Sequence, residues 1–166
     1  FLVCEKFHPL NAAKKIVIHF AIKSKLFVPH LLAKRLTFQD LDEQDKKSLR
    51  TGSFQPLGTD KAGRTVIFGT PCHEYKHVDN QVSVLYFGSL YSVEICTILT
   101  LILMLIKLRV MWYFFMKLTE EASIQNKGMV CIFYVSSALP HGFHHVDLYY
   151  KSKQIEEGVP TLVKGF

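Results

Sequence analysis

The pattern of apolar and polar positions predicts helices at the start of the chain. Pro9 suits the first position of a helix, because its missing N–H would have no partner there. Apolar residues then recur at helical spacing, which predicts an amphipathic helix that ends near Phe27, shortly before Pro29. The recurring residues are Leu10, Ala13, Val17, Phe20 and Ala21, with Lys14, Lys15 and Lys23 largely on other faces.

A second helix with an acidic start is expected before Gly52. Thr37 and Asp40 have the spacing of a capping box, with Asp in place of the usual Glu or Gln. Phe38, Leu41 and Leu49 can share an apolar side of this helix. Gly52 is a natural stop, because glycine adopts the left-handed conformation that commonly ends helices.

The period of the pattern changes after Gly52. Two short extended runs, 54–57 and 64–68, flank the turn-forming segment 58–63, and this arrangement predicts a β-hairpin. Further along, 129–135 is an apolar run of strand length that follows Gly128. We expect an interior strand there, preceded by a helix that ends at the glycine.

The last part of the chain predicts a helix over 146–157, closed by Gly158 and Pro160, and a final strand that starts at 161–163. Helices first, followed by strands that alternate with helices, favour an α/β fold with a mainly parallel sheet. A chain of 166 residues is long enough for one domain with a real core.

One apolar segment, 82–106, does not fit this scheme. It is about 25 residues long, which is enough to cross a bilayer. Its only charged residue is Glu94, and Lys107 and Arg109 follow it. Two interpretations of this segment are a membrane or membrane-surface helix and an ordinary buried insert.

A retained intron is the third interpretation of this segment. Val82 and Ser83 can be encoded by GTAAGT, the consensus start of a spliceosomal intron. Removal of 82–107 would join Gln81 to Leu108 and leave a sensible start for an amphipathic helix. Its apolar face would hold Leu108, Met111, Trp112 and Phe115.

Composition narrows the functional classes. About half of the residues are hydrophobic and a fifth are charged, which excludes a disordered chain. The net charge of +6 is spread among acidic residues, which indicates a solvated surface or weak attraction to an anionic membrane. No zinc finger or arginine-rich segment accompanies it, so nucleic acid is not an expected partner.

The four cysteines are far apart, which favours reduced thiols in a cytosolic protein, and the start lacks a secretory signal.

Metal binding and catalysis are not expected. Two clusters of possible ligands, Cys72-His73 with His77 and His141 with His144-His145, lack a second ligand pair at a familiar distance. Ser136 has no G-x-S-x-G elbow around it. The segment 58–63 departs from a Walker motif, because Arg64 and Thr65 stand where Lys and Ser or Thr belong. We therefore predict a protein that is not an enzyme and has no cofactor.

Four short motifs, in this order, resemble the CRAL-TRIO family of lipid carriers. They are Phe1-Leu-x-x-x-Lys6-Phe7, a helix with Ala12-Ala13, Asp60-x-x-Gly63-Arg64-x-Val66 with Thr65 in place of a common proline, and Arg109-x-x-x-Tyr113 followed by Gln125-x-Lys127-Gly128. The resemblance covers most of the chain outside 82–107. It implies a helical N-terminal region, 1–52, and a partial lipid-binding domain, 53–166, that the apolar segment interrupts.

The resemblance also implies a function. Family members resemble a bowl in which a mostly parallel sheet and its helices surround an apolar cavity for one lipid. By analogy, this chain would bind and transfer a hydrophobic lipid without catalysis, as a cytoplasmic monomer at the membrane surface. The cavity candidates are Val66, Phe68, Trp112, Phe115, Ile132 and Tyr134, although for any single one of them a place in a plain core is the favoured interpretation. Lys61, Arg64 and Lys127 are candidates for a phosphoinositide head group.

The chain departs from the family at two places. Tyr134-Val135-Ser136-Ser137 stands where the family has an Asp followed by a turn of small residues. The sequence also ends at Phe166, where the family continues into the rest of its sheet and its gate helix. Two alternatives therefore stay open: a single-pass membrane protein anchored by 82–106, and a non-functional fragment of a carrier.

Overall fold

The computed structural model describes residues 1–70, 93–134, 145–161 and 163–165. Within these ranges, helices and strands follow each other in the order α1 (Pro9–Leu26), α2 (Glu43–Arg50), β1 (Phe54–Thr59), β2 (Thr65–Gly69), α3 (Val93–Leu118), α4 (Ala122–Lys127), β3 (Met129–Phe133), α5 (His145–Gly158) and β4 (Val163–Gly165). Two short 3₁₀ turns, Pro29–Leu31 and Phe38–Asp40, connect the N-terminal helices.

The strands form one mixed sheet in the order β1-β2-β3-β4. The hairpin β1–β2 is antiparallel, as the glycine-bounded turn predicts. β2 pairs in parallel with β3, and β3 pairs in parallel with β4. A parallel pair needs a crossover connection, and α3 with α4 and then α5 lie in the two connections. The prediction of an α/β fold is therefore correct at this coarse level.

The predicted helix limits hold for α1 and fail for α2. Pro9 begins α1 and Leu26 ends it. Thr37 and Asp40 do form the capping box, but the turn that they cap is a short 3₁₀ helix that ends at Asp40. Asp42 then acts as a new N-cap by accepting a hydrogen bond from the Asp45 N–H. Two start signals stand so close together that the first yields a single turn and the second yields the helix.

Helix α1 buries polar side chains and exposes several apolar ones, which is the reverse of the usual arrangement in an amphipathic helix. Its inward side carries Ala12, His19, Lys23 and Leu26. The side chains that recur at helical spacing in the sequence, Leu10, Ala13, Val17, Phe20 and Ala21, are all exposed. The pattern therefore predicts the helix and misplaces its buried face.

The polar groups on the inward side of α1 are satisfied by backbone carbonyls. Lys23 Nζ donates to the carbonyls of Leu32 at 2.9 Å and Lys34 at 2.6 Å. His19 Nδ1 lies 3.0 Å from the Gly158 carbonyl, and its ring packs on Trp112 with a centroid distance of 4.7 Å. A Cβ at Gly158 would clash with Ile22, so glycine permits the close approach of α5 to α1.

Helix α3 connects the helical layer with the sheet. Arg109 Nε donates to Asp45 Oδ1 at 3.0 Å, and its guanidinium also pairs with Asp42, which ties α3 to α2. Around Arg109, the four residues predicted to share an apolar face are all buried: Leu108, Met111, Trp112 and Phe115. They thus form a buried face of α3 as it stands, with 93–107 preceding them in the same helix, and the helix start expected on removal of 82–107 stays a prediction.

The segment 82–107 is described only in part. Residues 82–92 lie outside the described ranges, and 93–107 form the first part of α3. Met104 and Ile106 belong to the core, and buried Lys107 lies 3.3 Å from Ser48 Oγ. On the other side of this part of α3, Ile98, Leu101, Ile102 and Leu105 are exposed, so the described part of the segment is buried on one side only. Among the described residues, no helix has the length and apolar character needed to cross a membrane.

Candidate functional site

The two faces of the sheet have different surroundings. Successive side chains of a strand point to opposite faces, and parallel register partners share a face. Ile67 is paired with Cys131, and Phe68 is paired with Ile132. Ile67 and Cys131 are fully buried, whereas Phe68 is half-buried and Ile132 is 41% exposed. We call the first side the covered face and the second the open face.

The covered face packs against α3 and α5. Ile67, Met129 and Cys131 join Trp112 and Phe115 in one hydrophobic cluster that also contains Ile155 of α5. Trp112 is 1% exposed and Phe115 is 0% exposed. Burial raises the pKa of the Cys131 thiol to about 12. These groups stabilise the helix-to-sheet contact, and the two aromatic side chains lie in the core.

The open face carries the other four predicted cavity residues. Val66 and Phe68 are half-buried side chains of β2, and Ile132 lies beside Phe68 on β3. Tyr134 continues the ladder, since its N–H donates to the Gly69 carbonyl at 2.8 Å, and its side chain is 61% exposed. The structure thus brings Val66, Phe68, Ile132 and Tyr134 together, and separates them from Trp112 and Phe115 by the sheet itself.

Val130 lies on the same side of the sheet as Ile132 but is only 4% exposed, so this face is covered near the start of β3, and the apolar run alone did not single Val130 out. It is the register partner of Val66 and precedes Ile132 and Tyr134 by two and four positions. This alternation was visible in the sequence. The near-continuous apolar run hid it, because such a run does not show which alternate residues face a site.

The three head-group candidates lie near one corner of the sheet, where β2 and β3 begin. The turn between β1 and β2 carries Lys61 and Arg64, and Lys127 ends α4 immediately before β3. A Cβ at Gly63, whose φ is +73°, would lie 2.7 Å from Lys127 Nζ. Glycine is needed in this turn for its positive φ, whereas the flexible end of the Lys127 side chain could move aside.

The charges at this corner are not equivalent. Arg64 Nε donates to Asp60 Oδ2 at 2.7 Å, and the Arg64 N–H donates to Asp60 Oδ1 at 2.9 Å. These bonds hold the pKa of Asp60 below its ordinary value. Lys61 and Lys127 are exposed and have no ion pair among the described residues. They are the groups at this corner whose charge is available to an anion.

A separate cleft of about 560 Å³ lies between α1, the segment 32–36 and α3. Of the six predicted cavity residues, Trp112 alone lines it. Its rim holds a small ion-pair network in which Glu120 accepts from Arg35 and from Lys117. The cleft therefore lies on the helical side of the molecule, apart from the open face.

The remaining sequence candidates lie largely outside the described residues. Cys72, His73, His77, Ser136, His141 and His144 all fall there. Within the described part of the chain, no group of three or more His, Cys, Asp or Glu side chains could hold a metal ion.

Comparisons of the chain with protein-family models, with curated proteins and with solved structures found no match.

Proposed function

We propose that this protein binds a hydrophobic lipid on the open face of its sheet and transfers it between membranes without catalysis. The proposal joins the resemblance to CRAL-TRIO carriers with one observation: Val66, Phe68, Ile132 and Tyr134 form an apolar surface that is incompletely buried. The fold would accordingly be a partial CRAL-TRIO bowl, with this face as its floor.

Hydrophobic free energy supports such a role. Lipid chains gain roughly 0.8 kcal/mol for each CH₂ that leaves water, so even a partial floor favours their binding. The half-buried side chains of Val66 and Phe68 would lose their remaining contact with water at the same time. A polar head group would then extend toward solvent, and the exposed ammonium groups of Lys61 and Lys127 are suited to an acidic one.

A binding experiment with two matched variants tests the proposal. The full chain is incubated with lipids of mixed classes and recovered by gel filtration, and native mass spectrometry then identifies any lipid that stays bound. Ile132→Asp places a charge on the open face, where an apolar ligand would have to desolvate it. Leu57→Asp is the control, because Leu57 is also an exposed apolar residue of the sheet but lies in the irregularity of β1.

We expect lipid on the wild-type chain and on Leu57→Asp, and at least a tenfold loss on Ile132→Asp. A wild-type chain that carries no lipid would refute the proposal. So would equal loss in both variants, because the open face would then have no special role. For the head group, Lys61→Glu with Lys127→Glu is expected to reduce binding of a phosphoinositide more than that of phosphatidylcholine.

A further inference from the structure

Helix α1 presents an apolar stripe to solvent that the proposed ligand site does not use. Leu10 is 59% exposed and Val17 is 68% exposed, and Ala21 continues the same side of the helix. Phe20 lies at one edge of this stripe, and Phe7, just before the helix, is also exposed. An apolar stripe on the outer side of a helix marks an interaction surface, because water is its least favourable neighbour.

The charges of α1 indicate which partner fits this stripe. The helix contains Lys14, Lys15, Lys23 and Lys25 and no Asp or Glu. Lys23 points inward, and Lys15 is engaged by Glu5 at 3.1 Å. Lys14 and Lys25 are exposed beside the apolar stripe. Two copies of this face would bring like charges together, so a second copy of the chain is a poor occupant.

We infer that the outer side of α1 docks on an anionic membrane surface. Interfacial helices bury an apolar side in the boundary between head groups and acyl chains, while lysines beside that side reach the anionic head groups. The stripe of Leu10, Val17 and Ala21, with Lys14 and Lys25 beside it, has this arrangement. The inference deepens the proposed function and rests on it for its purpose, because a carrier must contact the membrane that supplies its ligand.

Vesicle flotation of the full chain tests the inference. The probes are vesicles of phosphatidylcholine alone and vesicles of phosphatidylcholine mixed with phosphatidylserine. Val17→Asp puts a negative charge at the centre of the stripe, and Leu57→Asp is again the control at an exposed apolar position away from α1. Circular dichroism verifies that each variant keeps the helical content of the wild type.

We expect the wild type and Leu57→Asp to float with the anionic vesicles, and Val17→Asp to bind at least tenfold more weakly. Lys14→Gln and Lys25→Gln are each expected to weaken binding to anionic vesicles by roughly fivefold, with little effect on neutral ones. Added salt should act in the same direction.

Three results would overturn the inference: equal flotation of Val17→Asp and wild type, no preference for anionic vesicles, or a wild-type dimer that Val17→Asp converts to a monomer. Failure of docking is distinguishable from failure of ligand binding. Lipid delivered from cyclodextrin, without vesicles, should bind Val17→Asp as it binds wild type, whereas Ile132→Asp should float normally and lack ligand.

Discussion

The covered and open faces of the sheet differ although they are built from adjacent residues. Ile67 is fully buried beneath α3, whereas its neighbour Phe68 is only half-buried. The same holds on β3 for Cys131 and Ile132. One face holds the helices in place, and the other keeps apolar side chains partly in water. Substitutions on the first should therefore change stability, and substitutions on the second should chiefly change binding.

Thiol chemistry is expected to show the largest contrast between the two faces. Cys131 is fully buried, and its raised pKa keeps it protonated. A thiol introduced by Ile132→Cys would stand next to it on the exposed side. The Cys131 thiol can react only when the structure opens transiently. We therefore expect the thiol at position 132 to react with iodoacetamide about a thousandfold faster than the Cys131 thiol does.

Peptide mapping by tandem mass spectrometry, with fragmentation between residues 131 and 132, separates this label from label on Cys131 and on the other cysteines. Prior unfolding in guanidinium should remove the contrast between the two thiols. Comparable rates in the folded chain would mean that the two faces are equally accessible, and would contradict the assignment of the open face.

Truncation of a core side chain should have the next largest effect. Phe115→Ala removes a fully buried ring from the contact between α3 and the sheet. The expected loss in the free energy of unfolding is about 3 to 5 kcal/mol. Ile132→Ala is the matched change on the open face and should lose less than about 1 kcal/mol. Urea unfolding followed by circular dichroism measures both, and equal losses would disprove the contrast.

Much of the framework could be predicted from local signals. The hairpin follows from its turn, in which the Asp60 carboxylate accepts a hydrogen bond from the Ala62 N–H and Gly63 adopts a positive φ. The limits of α1 follow from Pro9 and Pro29. These features depend on residues that are neighbours in sequence, so they can be predicted from a single sequence.

The buried side of α1 could not be predicted in the same way. His19 and Lys23 lie inward because distant carbonyls of Gly158, Leu32 and Lys34 accept their hydrogen bonds. The spacing of apolar residues along α1 gives no information about these hydrogen-bond partners. Likewise, the apolar pattern predicts Trp112 and Phe68 in one cavity, because an apolar helix residue has the same pattern whether it lines a site or a core.

The ion pairs that hold α3 over the covered face offer a third test. Arg109 donates to Asp45, which is 2% exposed, and removal of the guanidinium leaves that carboxylate without its cation. We expect Arg109→Leu to lose about 2 to 4 kcal/mol of stability. Lys117→Leu, at the end of α3, removes an exposed pair with Glu120 of the following turn and should change stability by less than about 1 kcal/mol.

A second substitution verifies the cause of this loss. Asp45→Asn in the Arg109→Leu background removes the buried charge and should recover part of the stability. If the double variant is no more stable than Arg109→Leu, the loss comes from packing of the long arginine side chain and not from an unpaired carboxylate.

The smallest expected effect is a pH dependence centred on His19. Burial lowers the pKa of His19 below its ordinary 6.5, with a further contribution from Lys23, and the Gly158 carbonyl opposes the shift. The unfolded chain therefore binds a proton at His19 more readily than the folded chain does. The contribution of His19 is complete above pH 6.5, and the free energy of unfolding should decrease as pH falls below 6.5 toward the folded pKa.

Replacement with a side chain that does not titrate isolates this contribution. His19→Gln should be less stable than wild type at neutral pH, because the ring contact with Trp112 is lost. It should also have a flatter stability profile between pH 6.5 and 5 than the wild type has, as measured by urea unfolding at each pH. Parallel profiles would show that His19 is charged with equal ease in the folded and unfolded chains, so the inward side of α1 would be open to water.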